Sequence, residues 1–167
     1  MLAVVWESHG ALFAVDAAEV VEVVPVVEVR TITAMPAWFC GLGDHHGRLI
    51  PILDGSKLAG SDGFEPRLGS RVLVMEILVG ERKRRVGLLV EAIDEITAIE
   101  FSDRNGHLGF GGSEAPHLGA VVRLGSKTVQ RFSLERFLAG ERGDLIFGVD
   151  SPPEPADAAT ASDGPAG

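Results

Sequence analysis

The sequence predicts an all-β protein built from many short strands with short helical turns. Val and Ile dominate its apolar residues, they fall in short runs, and Gly, Asp, Asn or Ser separates those runs. Residues 2–7 and 11–15 flank the tight turn Ser8-His9-Gly10, which predicts an antiparallel pair. Strands at 20–24 and 26–29 follow, after a helical turn at Asp16-Ala17-Ala18-Glu19. Pro36, Gly41, Gly43 and Gly47 then break the chain before a strand at 49–53, and Ala59-Gly60-Ser61-Asp62-Gly63 reads as a mobile connection. The second half opens at Arg71, with strands at 71–79, 85–90, 95–98, 120–124 and 127–132. Gly125-Ser126 is a hairpin turn joining the last two, and Ser133 is placed to cap a short helix over 133–138. The domain is expected over residues 1–139, as two lobes connected near 55–70; the Pro/Ala/acidic stretch 151–167 offers nothing to bury and reads as a disordered tail.

The 167 residues suit one domain, or two small lobes sharing a core. A net charge of −9, from 15 basic against 24 acidic residues, has the wrong sign for a general partner of nucleic acid or anionic membrane. Tyr is absent and aromatics are 6% of the chain, which removes the stacking platforms of single-strand binders and leaves aliphatic side chains for recognition. The lone Cys40 forms no internal disulfide and suits a reducing compartment, with the cytoplasm as the expected location. The first residues lack the pattern of a secretory signal, and no stretch is apolar enough to span a membrane. The same acidic charge predicts a monomer in isolation.

Chemistry-bearing residues concentrate in Cys40-Gly41-Leu42-Gly43-Asp44-His45-His46-Gly47. A small metal- or ligand-binding barrel could use Asp44, His45 and His46. Adjacent residues of a strand face opposite ways, however, so the two imidazoles could not share an ion unless a turn intervened, and no metal or other cofactor is predicted. Cys40 follows Trp38 and Phe39, the setting of a buried structural thiol. The glycines precede a strand, not a helix, and so do not make a dinucleotide loop. Arg82-Lys83-Arg84-Arg85 lies among Glu76, Glu81 and Glu91 and reads as a solvated hairpin turn. No catalytic constellation emerges.

Taken in order, these features resemble the CheW family of chemotaxis adaptors. Leu12-Phe13-Ala14-Val15-Asp16 with Val20-Val21-Glu22-Val23 is similar to the family's opening. Met35-Pro36-Ala37-Trp38-Phe39-Cys40-Gly41 and Gly47-Arg48-Leu49-Ile50-Pro51-Ile52-Leu53-Asp54 resemble its P-x-x-I-x-G and N-L-R-G-x-x-x-P-V-x-D core. Arg71 to Glu76, Val86 to Ile96, Leu118-Gly119-Ala120 and Phe132 to Leu138 complete the match. The resemblance implies two five-stranded SH3-like barrels around one hydrophobic centre, and no catalysis. It implies a cytoplasmic adaptor, associated with membrane receptor arrays, that couples the tip of a chemoreceptor to the regulatory domain of a CheA-type histidine kinase; a decoy that sequesters either partner is the alternative. Asp44-His45-His46-Gly47 replaces Asn-Leu-Arg-Gly, Gly55 follows the core Asp54, and Glu91 stands for an Asp, departures that suggest a pathway serving pili, a cyclase or development. By the same resemblance, Glu22 would pair with the residue at the Arg position, here His46, while Gly41 and Gly47 would lie near partner contacts. Val20 is the candidate aliphatic docking residue on the first barrel.

Overall fold

The computed structural model describes residues 1–101 and 114–148. The tail expected from Ser151 onward lies outside the described residues. Two sheets organise the chain. The first, in the order β10-β11-β2-β1-β9, contains β1 (Leu2–Ser8), β2 (Ala11–Asp16), β9 (Ala92–Ala98), β10 (Leu118–Leu124) and β11 (Lys127–Phe132). The second, in the order β3-β7-β8-β6-β5-β4, contains β3 (Val20–Pro25), β4 (Val29–Arg30), β5 (Phe39–His45), β6 (Arg48–Asp54), β7 (Arg71–Val79) and β8 (Arg82–Val90). Neighbours pair antiparallel except β11 with β2 and β6 with β8. A 3-10 turn, Ala17–Glu19, passes the chain from the first sheet to the second, with the Asp16 carboxylate accepting from the Ala18 N–H at 2.9 Å.

The predicted turn between β1 and β2 forms at His9-Gly10, with φ of 48° and 83°. Two positive φ values give a turn whose twist matches that of the flanking strands. The predicted helical turn near 133 forms as α2 (Leu134–Phe137), with Ser133 Oγ accepting from the Arg136 N–H. Two short helices were not predicted: α1 (Gly55–Leu58), capped by Asp54, and α3 (Glu141–Phe147).

β1 shows how the two sheets share one centre. Val4 and Trp6 join a cluster with Leu53, Leu73, Met75, Leu88 and Phe132, which spans both sheets. The alternate residues Ala3 and Val5 face Val122 and Val129 within the first sheet. β7 does the same for the second sheet: Leu73, Met75 and Ile77 enter the shared cluster, and Val72 and Val74 pack on Ile50 and Ile52. A strand buried on both faces loses hydrophobic alternation, which is why both read as continuous apolar runs. Trp6 stacks on Phe13 at the middle, and Phe132 meets both rings edge-on, with ring centroids 4.9 to 6.2 Å apart.

The sequence reading departs from the structure mainly between Val26 and Gly47. Residues 26–29 were expected as a strand, but only Val29–Arg30 pairs, as β4, giving six strands where the resemblance implied five. The stretch expected to be broken by Gly41 and Gly43 contains β5, with a register shift between Phe39 and Gly41. Glycine inside a strand can mark a close approach instead of a break. At Gly41 φ is 142°, and a Cβ would lie 2.2 Å from the Arg30 carbonyl oxygen. The basic run belongs to β8 itself; the turn before it is Gly80-Glu81, Arg84 stacks on the Phe147 ring and Arg85 pairs with Glu76 at 3.5 Å.

Candidate functional site

The hairpin turn between β5 and β6 consists of His46-Gly47, with φ of 53° and 82°. This is again the two-positive-φ turn, and it is the intervening turn without which the adjacent imidazoles would diverge: His45 ends a strand, His46 turns, and the ring centroids lie 4.3 Å apart. Across the open side of the second sheet, β3 presents Glu22. Its Oε2 lies 2.7 Å from His45 Nε2 and 2.9 Å from His46 Nε2. The order of strands puts β3 at one edge and β5 next to the other, so this three-residue contact joins the two margins of a rolled sheet.

The three members differ in exposure. The His45 side chain is 6% exposed, Glu22 40% and His46 71%. The hydrogen bond from His45, followed by that from His46, holds the Glu22 carboxyl below its usual range against an opposing effect of burial. The expected pairing of Glu22 with His46 is therefore present, and His45 joins it from the buried side. Asp44 does not. Its Oδ1 accepts the Gly47 N–H at 3.0 Å and braces the turn. Among the described residues the imidazole and carboxylate ligand atoms of Glu22, His45 and His46 lie within 4.8 Å of one another, an arrangement that could hold a metal ion.

The remaining site candidates have structural surroundings of their own. Val20 is half-buried and packs on the shared core; the outward side chains of β3 are Val21 and Val23, 46% and 39% exposed. Gly41 sits under the Arg30 backbone, whereas a Cβ at Gly47 would meet nothing within 4 Å, so only the turn conformation restricts that position. The Cys40 thiol is pushed up to about 12 by burial and by the negative charge of Asp54. It stays a thiol at neutral pH, the state of a structural cysteine.

Sequence reasoning missed a second carboxylate centre. Glu91, with a side chain 0% exposed, accepts from the His9 N–H at 2.8 Å, the Glu65 N–H at 3.0 Å and Ser56 Oγ at 3.0 Å. His9 Nε2 lies 3.1 Å and Arg67 Nη2 3.5 Å from the same carboxylate. Its partners come from the β1–β2 turn, from α1 and from the 59–70 connection. That connection, whose first part, Ala59 to Gly63, reads as mobile from its composition, is also tied by Phe64 N–H to Asp54 Oδ2 at 3.1 Å and by His9 Nε2 to the Gly63 carbonyl at 2.9 Å. The sequence signal was a charge at the end of an apolar strand, which alone does not distinguish a buried acceptor from a surface acid.

No helix among the described residues is long and apolar enough to cross a membrane. A family model described as the CheW-like domain matches residues 3–142. The fold is similar to that of the crystal structure of the scaffolding protein TtCheW from Thermoanaerobacter tengcongensis, with a TM-score of 0.67, 22% identity, and coverage of 92% of this chain and 96% of that one. No curated protein matches the chain. Because the family match runs from β1 across both sheets into α3, the chain belongs to the CheW-like domain family.

Proposed function

We propose that this protein is a non-catalytic cytoplasmic adaptor that couples a chemoreceptor to a CheA-type histidine kinase. The observation that carries the reading is the family match over 3–142, which takes in both sheets and the shared core between them. The surface chemistry supports it. The only cysteine is a protonated thiol, and β3, an edge strand, turns the apolar side chains of Val21 and Val23 to solvent. Exposed aliphatic residues on a sheet edge suit reversible docking of a protein partner. With Tyr absent and Trp scarce, contact energy at such a surface comes from Val, Ile and Leu.

The test is reconstitution of the purified chain with a receptor signalling fragment and a CheA-type kinase, reading kinase autophosphorylation. A coupler raises receptor-controlled phosphorylation in proportion to its concentration. A fall in phosphorylation identifies a sequestering module, and no effect together with no binding to either partner refutes the adaptor reading.

A further inference from the structure

We propose that Glu22, His45 and His46 form a binding site for a divalent transition-metal ion, with Zn²⁺ as the ion it fits best. Three features of the geometry carry this. The ligand atoms converge: one carboxylate oxygen faces two imidazole Nε2 atoms at 2.7 and 2.9 Å, and the three residues each offer a ligand atom within 4.8 Å of the other two. The donor set of two imidazoles and one carboxylate is that of a three-ligand zinc site whose fourth position is left to water. The positive φ of His46, 53°, is an uncommon conformation for a residue other than glycine, and it is what turns the second ring onto the same side as the first.

The cluster can open to metal dimensions. Ligands at about 2.0–2.1 Å from a tetrahedral ion stand about 3.3 Å apart, so each imidazole must withdraw from Glu22 by roughly half an ångström. His46, 71% exposed on a two-residue turn, has room to do so, and Glu22, 40% exposed, can follow. His45 is the fixed ligand, 6% exposed. Its Nδ1 is buried and makes no hydrogen bond, so either tautomer leaves that atom unpaired, and placing the proton there to free Nε2 breaks no hydrogen bond at that end. The solvent side remains open for the fourth ligand. A bound ion would fasten β3 to the β5–β6 turn, next to the exposed Val21 and Val23.

The experiment uses the full chain without a histidine tag, stripped with chelator, titrated with zinc chloride by calorimetry and with Co²⁺ by visible absorption. One Zn²⁺ per chain with a dissociation constant of about 10 μM or tighter is expected, along with the visible bands of low-coordinate Co²⁺. Glu22→Gln and His46→Asn should each weaken zinc binding at least about tenfold. Asn tolerates positive φ, so the second variant keeps the turn and is a fair test of the ring. At equal concentration, zinc should raise the melting temperature of the wild type more than that of His46→Asn. No binding at about 100 μM zinc, or binding that both variants leave unchanged, overturns the proposal and leaves the cluster as a hydrogen-bonded clasp.

Discussion

Removing the Glu91 carboxylate should cost more stability than any other single polar deletion at the junction of the two sheets. Glu91→Ala strips the acceptor from the His9 N–H, the Glu65 N–H and Ser56 Oγ, at 2.8, 3.0 and 3.0 Å, while Arg67 keeps its closer partner Glu7 at 3.0 Å. A donor left without a partner in a dry site costs about 1–3 kcal/mol. His9 and Glu65 are themselves exposed residues, so water recovers part of two of these losses, and a total of about 3–5 kcal/mol is expected once the cavity is included. That is a large fraction of the roughly 5–15 kcal/mol that holds a domain folded. Glu91→Gln keeps one acceptor oxygen and should cost about half as much. Urea denaturation measures both, and hydrogen exchange at the His9 and Glu65 amides reports the local loss. The carboxyl also carries a pH signature. Burial, the largest single influence, raises its pKa, but the hydrogen bonds from His9, Glu65 and Ser56 and the charge of His9 together bring it below the usual value. Its contribution is thus present above the unfolded value near 4.5 and is lost as pH falls through the lower folded one. Glu91→Gln should flatten the stability curve in that acid window. A loss below about 1 kcal/mol for Glu91→Ala, or an unchanged acid limb in Glu91→Gln, refutes the reasoning.

Other perturbations separate roles that look alike in sequence. Gly41→Ala forces a Cβ to 2.2 Å from the Arg30 carbonyl at φ 142° and should cost at least about 2 kcal/mol, whereas Gly47→Ala meets no atom and should cost about 1 kcal/mol from φ alone; urea titration ranks them. The hydrogen bond to the Gly63 carbonyl, then the charge of Glu91, raise the His9 pKa against burial, so its contribution is full below about 6.5 and is lost as pH rises through the folded value. His9→Asn, which suits the φ of 48°, should make melting temperature flat across that range. Val20→Asp should cost about 1–3 kcal/mol because the side chain packs on the shared core, while Val21→Asp should leave circular dichroism unchanged and abolish kinase pull-down. Retained binding in Val21→Asp would move the docking surface away from β3.

What the sequence displayed was whatever depends on local pattern. Apolar runs located β1, β2 and β7, the Gly125-Ser126 turn marked the start of β11, and Ser133 located α2, because each is decided by neighbours along the chain. The miss at β5 has a physical cause: Gly41 and Gly43 look like breakers, and only the approach of Arg30, Val27 and Ile52 from elsewhere in the chain makes small residues necessary there. The orientation of β3 was hidden for a related reason. Val20-Val21-Glu22-Val23 alternates in and out, but the string of valines does not say which parity faces the core, and the structure turns Val20 and Glu22 inward and Val21 and Val23 outward. The pairing of Glu22 with His46 was legible through the family resemblance. The participation of His45 was not, since it depends on where strand β5 ends and the turn begins.

The two carboxylate centres show why burial, more than residue type, divides their roles. Glu91 and Glu22 each gather hydrogen-bond donors from distant parts of the chain, and each faces a histidine from a two-residue hairpin turn, His9 in one case and His46 in the other. The Glu91 side chain is fully enclosed, its donors include two backbone amides and a buried hydroxyl from three separate segments, and its removal is felt as global stability. Glu22 is 40% exposed and His46 71%, so water competes for the contact between them and that pair adds little to folding. Low energetic stakes leave the Glu22 cluster free to exchange its hydrogen bonds for another ligand, whether an ion or a partner's side chain. The sensitivity of binding to substitution should therefore be greatest where the sensitivity of folding is least, at Glu22, His46 and the neighbouring Val21. Measuring both quantities on the same variants checks this, and parallel losses of folding and binding at those positions would contradict it.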